Sequence, residues 1–264
     1  MTSLLLDRQG LTELPALPAD LVELSAWDNE ISSLPASIGS LQRLQVLILA
    51  GNRLSAVPPS IASLTQLRTL DLGHNRLTTL PSRMPDVAEY LYLHDNRLRA
   101  LPSGLRALRR LRYLNVSGNP LGDLPRGIGE LAGLVELRAE GSGLTALPDS
   151  IGRLGSLHEL SVRDNAITAL TPRIGDLTNL RRLDLRNNGL RALPEEILGL
   201  PVLDKLDLRW NRDLDVPWLA ELGRRGCVVW PLSSTGPRRA LPGVDHDAGR
   251  PKATLSRGAR RSPG

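Results

Sequence analysis

Apolar residues along this chain keep fixed offsets around a recurring asparagine. Asparagine stands at 29, 52, 75, 96, 119, 165, 188 and 211, with Ser142 filling the one gap, at spacings of 23, 23, 21, 23, 23, 23, 23 and 23 residues. Around Asn52 the apolar positions are Leu44, Leu47, Leu49 and Leu54; around Asn188 they are Leu180, Leu183, Leu185 and Leu190. Leu47 and Leu49 flank one outward residue, the alternation of a short strand with a single buried face. A fixed period of this length marks a repeat architecture. One repeat buries too little apolar surface alone, so repeats stack and their strands pair in parallel along a solenoid.

All but one of the strand segments are followed by a Leu-Pro or Val-Pro pair, as in Leu34-Pro35, Val57-Pro58, Leu101-Pro102 and Leu193-Pro194. Proline fixes φ and stops helix or strand from continuing. The Ile-Gly pairs that come next (Ile38-Gly39, Ile128-Gly129, Ile151-Gly152, Ile174-Gly175) predict a short helical or irregular segment with its Ile inward. The asparagine side chain offers two donors and one acceptor group where the strand turns away. Asn29, Asn52, Asn75, Asn96, Asn119, Asn165, Asn188 and Asn211 are therefore expected to bond backbone groups of neighbouring turns as a structural ladder. Ser142 lacks the amide and Thr171 stands where proline is expected. Both are open to two readings, neutral drift or a local kink.

The phrase L-x-x-L-x-L-x-x-N-x-L, repeated in nine near-identical registers, resembles the leucine-rich repeat family over about residues 1–216. The form LPxxIGxLxxLxxLxLxxNxL is similar to the intracellular 23-residue class, which includes Ras-group, scribble-like, plant intracellular and many bacterial proteins. The first full repeat departs from it with a 20-residue spacing, and its doubled Leu14-Pro15 and Leu17-Pro18 are similar to bacterial effectors of the YopM kind. The resemblance implies an α/β fold: a right-handed leucine-rich repeat solenoid, or horseshoe, with a parallel concave β-sheet and an irregular, short-helical convex side. Leu4 and Leu6 begin the 1–216 solenoid as a half-repeat. Residues 217–231 read as a C-terminal cap. There Trp218, Leu219 and Leu222 share a helical face, Gly226 follows it, and Cys227-Val228-Val229-Trp230 reads as a last buried strand. Residues 232–264, rich in Pro, Gly, Ser and Arg, read as a disordered basic tail.

Outward strand positions are free of core duty, so function is sought there. Two residues before each ladder position stand Asp7, Trp27, Ala50, Gly73, His94, Ser117, Glu140, Arg163, Arg186 and Arg209. All three tyrosines of the protein lie in the neighbouring outward columns: Tyr90 and Tyr92 on one rung, Tyr113 on the next. With His94 beside them and His74 one rung earlier they predict an aromatic patch mid-wall, where large side chains with few rotors anchor partners. The competing reading is that tyrosine simply suits strands. Arg138, Arg163, Arg186 and Arg209 lie near Glu136, Glu159, Asp184 and Asp207, which reads either as a cross-strand ion lattice or as a polar rim that orients a partner.

Charge changes this picture little. The formal net charge is +5. Residues 231–264 hold seven Arg/Lys against two Asp, which is the whole excess (7 − 2 = 5), so the repeats are neutral and offer no electrostatic case for nucleic acid. Arg257, Arg260 and Arg261 could still touch nucleic acid or an anionic surface. One cysteine excludes an internal disulfide and any cysteine zinc cluster. No basic leader precedes the short Leu4–Leu6 run, and no stretch approaches the roughly 20 apolar residues of a membrane span, so a cytoplasmic location is expected.

No P-loop, GxGxxG, HExxH, GxSxG or kinase signature appears. The four histidines show no ligand spacing with cysteine or paired carboxylates, and Cys227 lies in an apolar segment. No cofactor, no metal and no enzymatic activity are expected. The anticipated role is a non-catalytic protein-interaction module or signalling scaffold that binds a protein on the concave face through Trp27, His74, Tyr90, Tyr92, His94 and Tyr113. Arg138, Arg163, Arg186 and Arg209 would help orient that partner. The alternatives are a bacterial effector that captures a host protein, and a contact with nucleic acid or an anionic surface through the tail.

Overall fold

The computed structural model describes residues 2–230; the basic tail lies outside the described residues. Each repeat contributes one short strand: β1 (Thr2–Leu5), β2 (Leu21–Ser25), β3 (Val46–Ile48), β4 (Thr69–Asp71), β5 (Tyr90–Tyr92) and β6 (Tyr113–Asn115). The series continues with β7 (Glu136–Arg138), β8 (Glu159–Ser161), β9 (Arg182–Asp184), β10 (Lys205–Asp207) and β11 (Val228–Trp230). They form a single sheet in sequence order, every pair parallel. This is the leucine-rich repeat solenoid. The register aligns Leu24, Leu47, Leu70, Leu91, Leu114, Leu137, Leu160, Leu183 and Leu206 as one column, all of them buried. Each such leucine contributes about 1.5–3 kcal/mol by leaving water.

Opposite the sheet, seven five-residue 3-10 helices lie among the described residues. Six start after a proline held near φ −66°, ψ 147°, as at Pro102. Thr171 adopts φ −65°, ψ 140° and its hydroxyl accepts from Arg173 N, so it reproduces the proline geometry without a kink. The Ile of each Ile-Gly pair is buried. The Gly meets the next turn: a Cβ at Gly39 or Gly129 would collide with the backbone carbonyl of Ser60 or Ser150. The repeats between β1 and β2 and between β4 and β5, the two short ones, have no 3-10 helix. In the second of these, Met84 and Val87 fill the core instead.

The asparagine ladder forms as the spacing predicts. Asn119 Nδ2 donates to Leu93 O, Val116 O and Ser117 O at 2.9, 3.0 and 3.2 Å, and its Oδ1 accepts from Leu98 N at 3.0 Å. Where the preceding rung lacks an asparagine, the next asparagine takes a second donor. Asn29 Oδ1 accepts from both Gln9 N and Leu11 N, and Asn165 Oδ1 from both Ser142 N and Leu144 N. Leu121 N turns instead to Asn119 O, with Gly122 and Gly143 in the left-handed region that favours glycine. Ser142 is thus a rewired rung, buried and bonded to Val116 O.

At the C-terminal end, helix α1 (Leu219–Arg224) buries Leu222. Gly226 follows at φ +92°, with Gly226 N bonded to Gly223 O and Cys227 N to Leu222 O, the paired bonds of a Schellman stop. The expectation of a buried last strand is corrected: Val228 is 53% and Trp230 37% exposed. Strand alternation turns only the residue between them, the partly buried Val229, toward the core.

Candidate partner-binding face and histidine cluster

Strand alternation turns the outward residues of β5 and β6 onto one face, and stacking at about 4.8 Å per rung sets them side by side. Tyr92 and Tyr113 ring centroids lie 4.9 Å apart, Tyr90 and Tyr113 6.1 Å, and Tyr90 and Tyr92 6.4 Å. Tyr90 is 42% exposed, while the other two are half-buried. Burial pushes the Tyr92 and Tyr113 phenols above the ordinary tyrosine range; for Tyr92 the neighbouring Asp71 carboxylate acts in the same sense.

His94 extends this cluster, edge-on to Tyr92 at 6.2 Å and to His74 at 4.7 Å. Its ring occupies the space over Gly73, where a Cβ would collide with it. Desolvation, then the neighbouring His74, lowers its pKa, and Asp95 opposes the shift. His74 Nδ1 stands 3.3 Å from Asp95 Oδ2. Sequence spacing showed no ligand set among the histidines, yet stacking brings His74, His94 and Asp95 together with ligand atoms all within 4.8 Å of one another. The missed signal was registration: His74 and Asp95 occupy the same position of consecutive repeats.

Trp27 is not part of this cluster. It sits on the rung of β2, three rungs from β5 and so roughly 14 Å away, with the Arg8 guanidinium over its ring at 4.2 Å. The arginines lie toward the other end, each already engaged. Arg138 pairs with Glu136 and Glu159, and Arg163 with Glu140. Arg186 makes a bidentate contact to Asp184 and reaches Asp207 at 3.4 Å; Arg209 grips Asp207 at 2.7 Å. These side chains form the ion lattice. Cys227 is buried, which pushes its thiol pKa up, as Asp204 also does. No helix among the described residues is long and apolar enough to cross a membrane.

Comparison with known proteins agrees with this architecture. Leucine rich repeat models match residues 155–212, 42–83 (as two copies) and 110–131. No curated protein matches the chain. Among solved structures, a leucine-rich repeat protein of Leptospira interrogans is 29% identical, with TM-score 0.56, over 82% of this chain and 69% of that one. The leucine-rich repeat domain of the type III effector XopL is 28% identical, with TM-score 0.63, over 88% and 76%. YopM, a leucine-rich effector from Yersinia pestis, is 26% identical, with TM-score 0.66, over 79% of this chain and 60% of that one. These matches support the leucine-rich repeat family, whose members generally act as protein–protein interaction modules and are typically non-catalytic.

Proposed function

We propose that the protein binds a protein partner on the concave sheet face, with Tyr90, Tyr92 and Tyr113 as the anchor. The observation that carries this reading is the convergence of every tyrosine in the chain into one half-exposed cluster. Aromatic side chains have few rotors to freeze and much area to bury, which suits them to the centre of an interface. Trp27 at the other end of the face would add a second anchor, and Arg138, Arg163, Arg186 and Arg209 would orient the partner from the rim. The likeness to XopL and YopM favours an effector that captures a host protein over a resident signalling scaffold. Export through a specialised secretion system separates the two.

The test is quantitative capture from the source cell with wild type and a Tyr90/Tyr92/Tyr113 triple alanine variant, followed by affinity measurement on the recovered protein. We expect the triple variant to lose at least about 2 kcal/mol of binding, roughly 30-fold. Equal recovery by both would overturn the reading.

A further inference from the structure

We propose that His74, His94 and Asp95 bind a divalent transition-metal cation of the zinc class in an open, three-ligand site on the sheet face. The three ligand atoms lie within 4.8 Å of one another. Two imidazoles and one carboxylate form a donor set suited to zinc, and three protein ligands leave a fourth position for water or an incoming group. Tetrahedral bonds of about 2.0–2.1 Å hold ligand atoms roughly 3.4 Å apart. The His74 Nδ1–Asp95 Oδ2 separation is already 3.3 Å, and the His94 ligand atom lies within 4.8 Å of both.

One further observation points to a ligand here. His94 Nδ1 is buried without a hydrogen-bond partner, one of three such side-chain atoms among the described residues. Buried nitrogens are ordinarily bonded, because desolvation otherwise costs about 1–3 kcal/mol. The backbone fixes where His74 stands. The residue before each ladder position is left-handed in all ten repeats: Arg8, Asp28, Gly51, His74, Asp95, Gly118, Gly141, Asp164, Asn187 and Trp210. Glycine, aspartate or asparagine, the residues tolerant of that region, hold seven of these positions. His74 adopts the same conformation at φ +51°, which sets its ring edge-on to His94. Gly73 completes the pocket by leaving room for the His94 ring.

The site adjoins the tyrosine anchor through His94 and Tyr92, but its test needs no partner. Zinc chloride is titrated calorimetrically into the full chain, and cobalt(II) is followed by its d–d absorption as a geometry readout. We expect one equivalent bound, a tetrahedral cobalt spectrum, and a melting temperature raised by zinc. His74→Ala and His94→Ala should each weaken binding by at least about tenfold, since even outer-shell partners of a metal cost about 10–100-fold. His158→Ala should leave it unchanged. Asp95→Asn preserves side-chain shape and carries the test where a histidine variant is poorly folded. Absence of zinc binding at millimolar concentration overturns the site, as does undiminished affinity in the His74→Ala/His94→Ala double variant.

Discussion

The outward face of β5–β6 and that of β7–β10 rest on the same ladder and the same leucine column, yet they prepare the surface differently. On β5–β6 the rings contact one another and leave apolar area open. On β7–β10 each guanidinium is tied to a carboxylate of its own or a neighbouring rung. A partner covering the second region must desolvate ion pairs that are already satisfied, a cost its new contacts must exceed. A partner covering the first gains buried area with few rotors to freeze. In the proposed function the aromatic region would therefore supply affinity and the charged one orientation, although both stand on the same leucine column.

The scaffold half of this comparison is the easiest to break. Asn119→Ala and Asn188→Ala, one beneath each region, should each destabilise by about 3 kcal/mol in urea unfolding, because each orphans several buried backbone groups. A large cost at only one of them would place the difference between regions in the scaffold. Within the charged face, Asp207 is the keystone: its side chain is 3% exposed, accepts from Arg209 and lies 3.4 Å from Arg186 Nε. Asp207→Ala should cost about 1–2 kcal/mol, the arginines being partly solvated, while removal of the more exposed Arg163 should cost about 0.5 kcal/mol. Similar values for the two would reduce the lattice to a set of independent surface pairs.

The smallest effect is expected from alkaline pH. Tyr92 and Tyr113 have folded pKa values raised above that of the unfolded chain, so their neutral form is the one folding favours. That stability is fully present below pH ~10 and declines as pH rises toward the folded values, because the unfolded phenols ionise first. Tyr113→Phe should flatten the loss of melting temperature between pH 9 and pH 11, roughly one pH unit either side of the unfolded value. An unchanged slope would mean that the ring is more open to water than its neighbours suggest.

Much of this was legible in the residue pattern, and for one reason. Period-2 alternation inside a 23-residue period decides which side chains face the core and which face out, with no need to know the partner rung. The leucine column, the amide ladder and the tyrosine cluster all follow from that local rule. Trp27 shows its limit, since a shared column does not make residues neighbours when two rungs intervene. The exposed Val228 and Trp230 mark another, because β11 pairs with β10 alone among the described residues.

By itself, then, the sequence determined the stacking period, the core and the outward columns, because these depend only on chain-local periodicity. Tertiary stacking decided which outward groups meet. It set His74 over His94 and beside Asp95, rewired the Ser142 rung through left-handed glycines, and linked Arg138, Arg163 and Arg186 to carboxylates of a neighbouring rung. Those contacts depend on side-chain rotamers and backbone conformation across adjacent turns, which no spacing along a single chain encodes.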